Sequence, residues 1–293
     1  MIPVSLGLLA ALCWAVHDLL ARRHAPGFGP SRLAVWVMLV GAGLLLVPVA
    51  FRLNSTVWDS HSVGLALLMG VSYAFGVGGL FKAFSLAPIS VAGPFTAGYP
   101  ALVVVWGVAN GLDPTGAEWL AMALILAGMV VVARTGPADG GLNAVPKHQR
   151  LTFFAACASA MVGYAASIVL GQAAAVSIGE METTLVSRFP AALLLLPFAW
   201  HEKPAPAPAV ARESSVVWWA IAAMAALDVI SVSTINAAGH FPGKEFAGMG
   251  ISAYGAIAVV LAMFFLKERV SGGQWLGILL IVSGVAALGW PKG

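Results

Sequence analysis

Ten apolar stretches are the feature that most constrains how this chain can fold. A helix needs about 20 predominantly apolar residues to cross a bilayer core about 30 Å thick. Residues 121–133 are apolar on every side, which excludes the alternating pattern of a membrane β-barrel. The chain is therefore predicted to be an all-α membrane protein with ten transmembrane helices. The stretches cover residues 2–21, 32–51, 62–82, 91–110, 117–134, 151–171, 183–200, 216–236, 246–266 and 274–290.

The composition agrees with this interpretation. Hydrophobic residues make up 60% of the chain and charged residues 9%, against about 25% charged residues in soluble domains. So few charges could not cover a surface in water, and lipid is the expected surrounding. Basic residues in such a protein report which loops are cytoplasmic, so no nucleic-acid partner is predicted. We expect a multi-pass protein of the cell membrane, which in a bacterium is the inner membrane.

The sequence repeats itself once. Five residues of the fifth stretch recur at a constant offset in the tenth, and LLLVPVAF (44–51) matches LLLLPFAW (193–200) with its proline in register. The sequence predicts one repeat at 1–135, a second at 151–293, and a linker rich in glycine and proline at 136–150. The recurring pairs are Gly116 and Gly272, Trp119 and Trp275, Leu124 and Leu280, Ile125 and Ile281, and Gly128 and Gly284.

Each repeat holds five predicted helices, which is an odd number. The second repeat must therefore enter the membrane from the opposite side, and such inverted repeats are typical of secondary transporters. Most lysines and arginines lie in loops that follow odd-numbered stretches. The positive-inside rule then places those loops in the cytoplasm and both termini outside.

Two segments carry a resemblance to a known family. FLKERVSGGQWLGILLIVSGVAALGW (265–290) resembles the last hairpin of the EamA family in the drug/metabolite transporter superfamily, with Glu268, Gly277 and Gly284 in the matching positions. Trp14, followed about two turns later by Arg22, resembles the family's first helix. The resemblance covers nearly the whole chain.

The resemblance implies ten helices in two five-helix repeats and the transport of small metabolites, such as the export of amino acids. It also implies cytoplasmic termini, opposite to the charge distribution, so both orientations stay open. The motif is degenerate in the first repeat, where Leu112 stands at the counterpart of Glu268. His17 and Asp18 replace the small polar residues expected after the tryptophan.

Asp228 is the sharpest functional signal. It lies about 18 Å along the eighth stretch, near the bilayer midplane, where a carboxylate costs about 2.5–3.5 kcal/mol on insertion scales. Ser231 and Thr234 follow at three-residue steps and are predicted to extend a polar stripe from it. We expect this stripe to line a transport cavity in which Asp228 gains and loses a proton, although a buried acid bonded to a neighbouring helix is the alternative.

Three further charged or titratable residues are candidates. His17 and Asp18 could form a second proton site, because histidine titrates near neutral pH, or they could be solvated charges at the end of the first helix. Arg188 could bind a substrate carboxylate through its fork of donors, or it could pair with Glu182 or Glu180. The sequence leaves both pairs of interpretations open.

Aromatic side chains within the stretches indicate a pocket for an organic solute. Tryptophan and tyrosine favour membrane interfaces, so those in the interior often line cavities. Glycines and prolines interrupt the fourth and ninth stretches, at corresponding places in the two repeats, which is where transporter sites lie. The candidates are Trp14, Tyr73, Tyr99, Tyr164 and Tyr254.

These features favour a secondary transporter that moves a small organic metabolite by alternating access, either coupled to protons or not. The alternatives are a passive facilitator or channel and, less favoured, a membrane-embedded enzyme. The sequence has no HExxH motif and no nucleotide-binding loop, and Cys13 and Cys157 lie apart in apolar stretches. No metal or cofactor is predicted, and the protein could be a monomer or a homo-oligomer.

Overall fold

A computed structural model of the chain describes residues 2–87, 92, 96, 98–135, 145–201, 214–265 and 270–289. The regular secondary structure in these residues is helical. Glu268, Pro94 and positions 136–144 of the predicted linker lie outside them. The helices are α1 (Ile2–Phe28), α2 (Pro30–Arg52), α3 (Ser60–Leu86), α4 (Tyr99–Ala109), α5 (Gly116–Thr135), α6 (Arg150–Ile178), α7 (Glu180–His201), α8 (Ser214–Ala237), α9 (Phe246–Ile251), α10 (Tyr254–Phe265) and α11 (Gly272–Gly289).

Eight spans within the described residues are long and apolar enough to cross a membrane. They lie in α1, α2, α3, α6, α7, α8, the combined α9 and α10, and α11. The helices α4 and α5 are apolar but shorter. The helical membrane architecture is confirmed, whereas the predicted number of ten crossings stays a prediction.

The ninth predicted span is not one continuous helix. It breaks at Ser252 and Ala253 into α9 and α10. A Cβ atom on Gly250 would collide with the backbone carbonyl of Val4 in α1. The glycines of this segment thus let two backbones come into contact, and they also make a continuous helix less favourable.

The pairing of helices follows the sequence repeat. The helix α2 packs on its repeat counterpart α7, and α5 packs on its counterpart α11. The helix α1 packs on α8, while α3 packs on α6, and exchanging the two halves of the chain converts one pair into the other. The same exchange relates the α2–α8 contact to the α7–α3 contact. The two halves are therefore related by an approximate two-fold arrangement.

The seam between α5 and α11 is made by glycines. A Cβ atom on Gly128 would lie 2.7 Å from the carbonyl oxygen of Gly277, and one on Gly277 would lie 2.7 Å from the carbonyl oxygen of Gly128. A Cβ atom on Gly284 would lie 2.6 Å from the carbonyl oxygen of Ala121. Small residues let helices approach where lipid supplies no hydrophobic drive, so Gly128, Gly277 and Gly284 are packing positions.

Equivalent turns start the second helix of each half. Gly29 has φ 96° between α1 and α2, and Gly179 has φ 93° between α6 and α7. Glycine adopts this left-handed region without the steric cost that a Cβ atom brings. The two turns fold α2 and α7 back beside the helices that precede them.

Large apolar side chains cover the outer surface of the bundle. On α7 they lie beyond the buried polar residues of the first half of the helix. Soluble monomers rarely expose apolar patches of this extent, whereas lipid chains accept them. The exposed residues of α7 are Phe189, Leu193, Leu194, Leu196, Phe198 and Trp200.

Candidate functional site

Asp228 has a positive partner from another helix. Its Oδ2 forms an ion pair with Nη1 of Arg188, and both side chains are 4% exposed. Arg188 lies on α7 and Asp228 on α8, so the pair joins two helices of the second half. The predicted alternative partners of Arg188 contact another arginine instead, because Glu180 and Glu182 lie beside Arg52.

Trp14 on α1 supplies the second contact to this carboxylate. Its indole Nε1 donates a hydrogen bond of 3.0 Å to Oδ1 of Asp228. The approach of α1 to α8 is supported by the Ser231 hydroxyl, which donates to the carbonyl oxygen of Ala10 at 3.2 Å. We name Trp14, Arg188 and Asp228 the central cluster; each oxygen of its carboxylate has a partner.

The Arg188 guanidinium is only partly used. Within the described residues, its Nε and Nη2 are buried and have no hydrogen-bond partner. Arg188 also lines a small pocket between α3, α7 and α8. The other residues that line it are Met69, Tyr73, Ser187, Ala191 and Val232.

His17 and Asp18 form a second polar group one turn beyond Trp14. Nδ1 of His17 lies 2.8 Å from Oδ1 of Asp18, and the Tyr254 hydroxyl donates to Oδ2 of Asp18. Tyr254 begins α10, so this group joins α1 to the broken ninth span. The candidate pair is thus in contact with another candidate residue rather than standing apart at a helix end.

Three candidate tyrosines form a ring cluster. The ring centroids of Tyr73 and Tyr164 are 5.8 Å apart, and those of Tyr99 and Tyr164 are 5.6 Å apart. A Cβ atom on Gly76 would lie 2.9 Å from Cδ1 of Tyr164, so this glycine makes room for the ring. Tyr73 belongs to both the ring cluster and the Arg188 pocket.

Thr234 is the candidate that stays apart. Its hydroxyl donates to the carbonyl oxygen of Ile230 in its own helix. Six residues turn a helix by about 600°, so Thr234 points about 120° away from Asp228. The predicted polar stripe therefore ends at Ser231. A later polar residue of α8 that is fully buried is Asn236, five residues beyond Ser231, whose Nδ2 donates to the Thr184 hydroxyl at 3.1 Å.

Sequence reasoning missed the walls of the Arg188 pocket. Met69, Ala191 and Val232 are ordinary residues of apolar helices and carry no signal of their own. Ser187 precedes Arg188, but its hydroxyl donates to the carbonyl oxygen of Thr184 at 2.8 Å. Only the packing of α7 against α3 and α8 brings these residues together, and that packing is not visible in one sequence.

A second group of charges lies where α2 ends and α7 begins. Nε of Arg52 is 3.5 Å from Oε1 of Glu182, and its Nη1 is 3.5 Å from Oε1 of Glu180. The Thr56 hydroxyl donates to Oε1 of Glu182 at 3.2 Å, and Nε2 of His240 lies 3.9 Å from Oε2 of Glu180. We name these five residues the end cluster. Among the described residues, no group of histidine, cysteine and carboxylate side chains is arranged to hold a metal ion.

Comparison of sequences decides the family. The profile of the EamA-like transporter family matches residues 1–134 and matches again at residues 152–290. The chain belongs to the EamA-like transporter family. The resemblance seen in the sequence is thereby confirmed, and the activity of the family is transport across membranes rather than catalysis.

A solved structure shows the same fold as this EamA-like protein. A crystal structure of another protein aligns with it over 98% of this chain and 96% of that chain, with a TM-score of 0.77 at 20% sequence identity. No curated protein matches the sequence significantly. At this identity the likeness shows the fold alone.

Both family repeats contribute to the central cluster. The first match contains Trp14 and the pocket residues Met69 and Tyr73, and the second contains Arg188 and Asp228. Any movement of one repeat against the other would therefore change the contacts of this EamA-like protein's buried carboxylate and guanidinium groups.

Proposed function

We propose that this EamA-like protein is a secondary active transporter that moves a small organic metabolite, an amino acid or a related compound, outward across the cytoplasmic membrane by alternating access. The observation that carries the proposal is the buried Arg188–Asp228 pair beside a small, mostly apolar pocket that Tyr73 also lines. Charged side chains within membrane spans are costly and mark solute or ion pathways. Membership of the family gives transport as the activity, and we propose that the solute binds at this pair and pocket.

Alternating access is supported by how the halves pack. We propose ten crossings in two inverted repeats, 1–135 and 151–293, joined by the linker 136–150. The five spans predicted for each half and the exchange symmetry of the helix pairs favour this arrangement. Transporters of this construction hold their solute at the repeat interface and rock one repeat against the other. The central cluster receives residues from both repeats, as such a site requires.

Proton coupling is assigned to Asp228. Its carboxylate is paired with Arg188 and Trp14, so a proton or a solute that competes for these contacts changes the charge balance of the site. His17 and Asp18, bonded to each other and to Tyr254, are proposed as a second proton site. Ser231, Tyr99 and Tyr164 are proposed to shape the cavity.

Flux into proteoliposomes, with and without a pH gradient, tests the function. A coupled transporter concentrates its solute, whereas a passive channel only equilibrates it and an enzyme converts it. The D228N variant should insert in the membrane and lose the pH dependence of flux. Unchanged pH-driven flux in D228N would remove Asp228 from the mechanism.

A further inference from the structure

The unused edge of Arg188 carries a further inference. A guanidinium presents Nε and Nη2 on one side as two parallel N–H donors. These are the two atoms that have no partner, while Nη1 holds Asp228. Leaving buried donors unsatisfied is costly, and native structures rarely do so without a reason. A guanidinium edge kept free inside a bundle is the arrangement expected of a binding site.

We propose, resting on the transport function above, that the Nε–Nη2 edge of Arg188 binds the carboxylate of the solute. The two oxygens of a carboxylate match the spacing of this edge and accept two parallel charge-assisted hydrogen bonds. The Ser187 hydroxyl is already committed to its own helix, so the arginine is the anion-binding group of the pocket wall.

The other residues that line the pocket favour a solute whose carboxylate is attached to an apolar group. Met69, Ala191 and Val232 are buried and present apolar surface, and Tyr73 presents an aromatic ring. Binding sites for small organic molecules combine such walls with a few polar groups that fix orientation. The substrate class is therefore a small carboxylic acid with an aliphatic or aromatic side chain.

The charges of the site add a second part to the proposal. Arg188 and Asp228 neutralise each other, so an added carboxylate would leave a net negative charge away from water, which is costly. One proton that bonds to the Asp228 carboxylate restores neutrality and frees the guanidinium for the solute. Other titratable groups that interact electrostatically with the pair are His17 on α1 and Tyr73 on α3, and Asp18 on α1 interacts with both of these. One acid and one proton thus bind together.

Matched acids and amines test the carboxylate. The purified full-length protein in detergent is titrated with hexanoate and phenylacetate, and with hexylamine and benzylamine, while its thermal stability is followed. The acids should stabilise the protein and the amines should not. The R188Q variant should bind the acids about 10- to 100-fold more weakly, as expected for two lost charge-assisted hydrogen bonds.

Two further variants separate charge from geometry. R188K keeps the charge but loses the two-donor edge, so its affinity for the acids should fall between the wild type and R188Q. R134Q removes an arginine from the exposed end of α5 and should bind as the wild type does. Equal loss in R134Q and R188Q would overturn the assignment of the edge.

Proton uptake tests the coupling. In weakly buffered detergent solution, a pH indicator should report about one proton taken up for each hexanoate bound by the wild type, because Asp228 is neutralised on binding. D228N should still bind hexanoate but take up no proton. Binding without uptake in the wild type, or uptake that persists in D228N, would overturn this second part.

Failure of this inference can be told apart from failure of the transport function. If the protein concentrates amines but binds no acid, the function stands and the carboxylate assignment falls. If acids bind at Arg188 but proteoliposomes concentrate none of them, the assignment stands and active transport falls. Binding of inorganic phosphate in preference to both acids would also overturn the carboxylate class.

Discussion

The central cluster and the end cluster use the same residue types in different surroundings. In each, an arginine meets carboxylates contributed by α7 or α8. The central pair is buried, with both side chains 4% exposed. In the end cluster the Arg52 side chain is 45% exposed, and only its partner Glu182 is fully buried. Water can replace a lost partner for Arg52 but not for Arg188. Burial, not pairing alone, therefore decides how much the stability of each charge depends on its partner.

The positions of the clusters along α7 explain their different roles. Glu180 is the first residue of α7, and Arg52 is the last of α2. Carboxylates are favourable at helix N-termini and cations at C-termini, because they complement the helix dipole. Arg188 lies about 12 Å further along α7, where no helix end favours a charge. The end cluster therefore has a structural reason to exist, whereas the position of the central cluster supplies no such reason.

The largest expected effect comes from removing Arg188 alone. R188M leaves the Asp228 carboxylate buried without its counter-charge, which costs about 3–5 kcal/mol of stability for a broken buried pair. The double variant R188M/D228L removes both charges and should regain most of that loss while it remains unable to bind acids. Unfolding free energies in mixed micelles, together with proteoliposome flux, measure both effects.

The double variant also decides what the central pair contributes. If it is as unstable as R188M, Arg188 acts through the packing of its long side chain and not by pairing with Asp228. If it transports acids as the wild type does, the central cluster is structural, and the contrast with the end cluster disappears.

The next effect concerns the third member of the central cluster. W14F keeps an aromatic ring but removes the indole donor to Oδ1 of Asp228. A buried acceptor that loses its donor costs about 1–3 kcal/mol, so the thermal stability should fall and the pH dependence of flux should shift. W106F is the matched control, because Trp106 is an exposed tryptophan of α4. Identical melting of W14F and W106F would contradict a role for the indole.

A smaller effect is expected in the end cluster. E182Q keeps the Oε1 acceptor for Arg52 and Thr56, and it places an amide nitrogen at the Oε2 position, which has no partner. The loss of charge assistance should cost about 1 kcal/mol, with acid binding unchanged. The same unfolding and titration measurements apply. A loss as large as that of R188M would mean that the end cluster is as dependent on its pairing as the central one.

The sequence was sufficient for the family and for the helical membrane fold. The apolar stretches, the repeated glycines and the motif around Trp14 led to a two-repeat membrane transporter. Asp228 is buried, and its predicted place in a transport cavity stays a prediction. These inferences succeeded because each depends on local composition or on a residue whose presence in lipid needs a reason.

The partners of Asp228 could not be predicted. Arg188 precedes it by forty positions and Trp14 lies in the other repeat, so their contacts arise only from tertiary packing. The sequence offered Glu180 and Glu182 as partners of Arg188 because they are near in the chain. Thr234 was predicted to share the face of Asp228, but each three-residue step rotates the side-chain direction by about 60° around the helix. After two such steps Thr234 is no longer on the face of Asp228.

The smallest expected effect concerns Asp59, a partly exposed carboxylate that belongs to neither cluster. Its contribution to stability is a reference for the contributions of the two clusters. Asp59 caps α3, where its Oδ1 accepts a hydrogen bond of 2.8 Å from the Ser62 N–H. The hydrogen bonds from Ser62 hold the pKa of Asp59 below its usual range. Because the folded-state pKa is the lower one, the stabilisation is complete above the unfolded pKa and is lost as the pH falls through the folded value. D59A should therefore melt slightly below the wild type at neutral pH, and the difference should shrink below about pH 4. The control is D59N, which retains an oxygen that can cap the helix. If D59N melts as low as D59A at neutral pH, the charge of Asp59 stabilises the start of α3, and its capping oxygen does not.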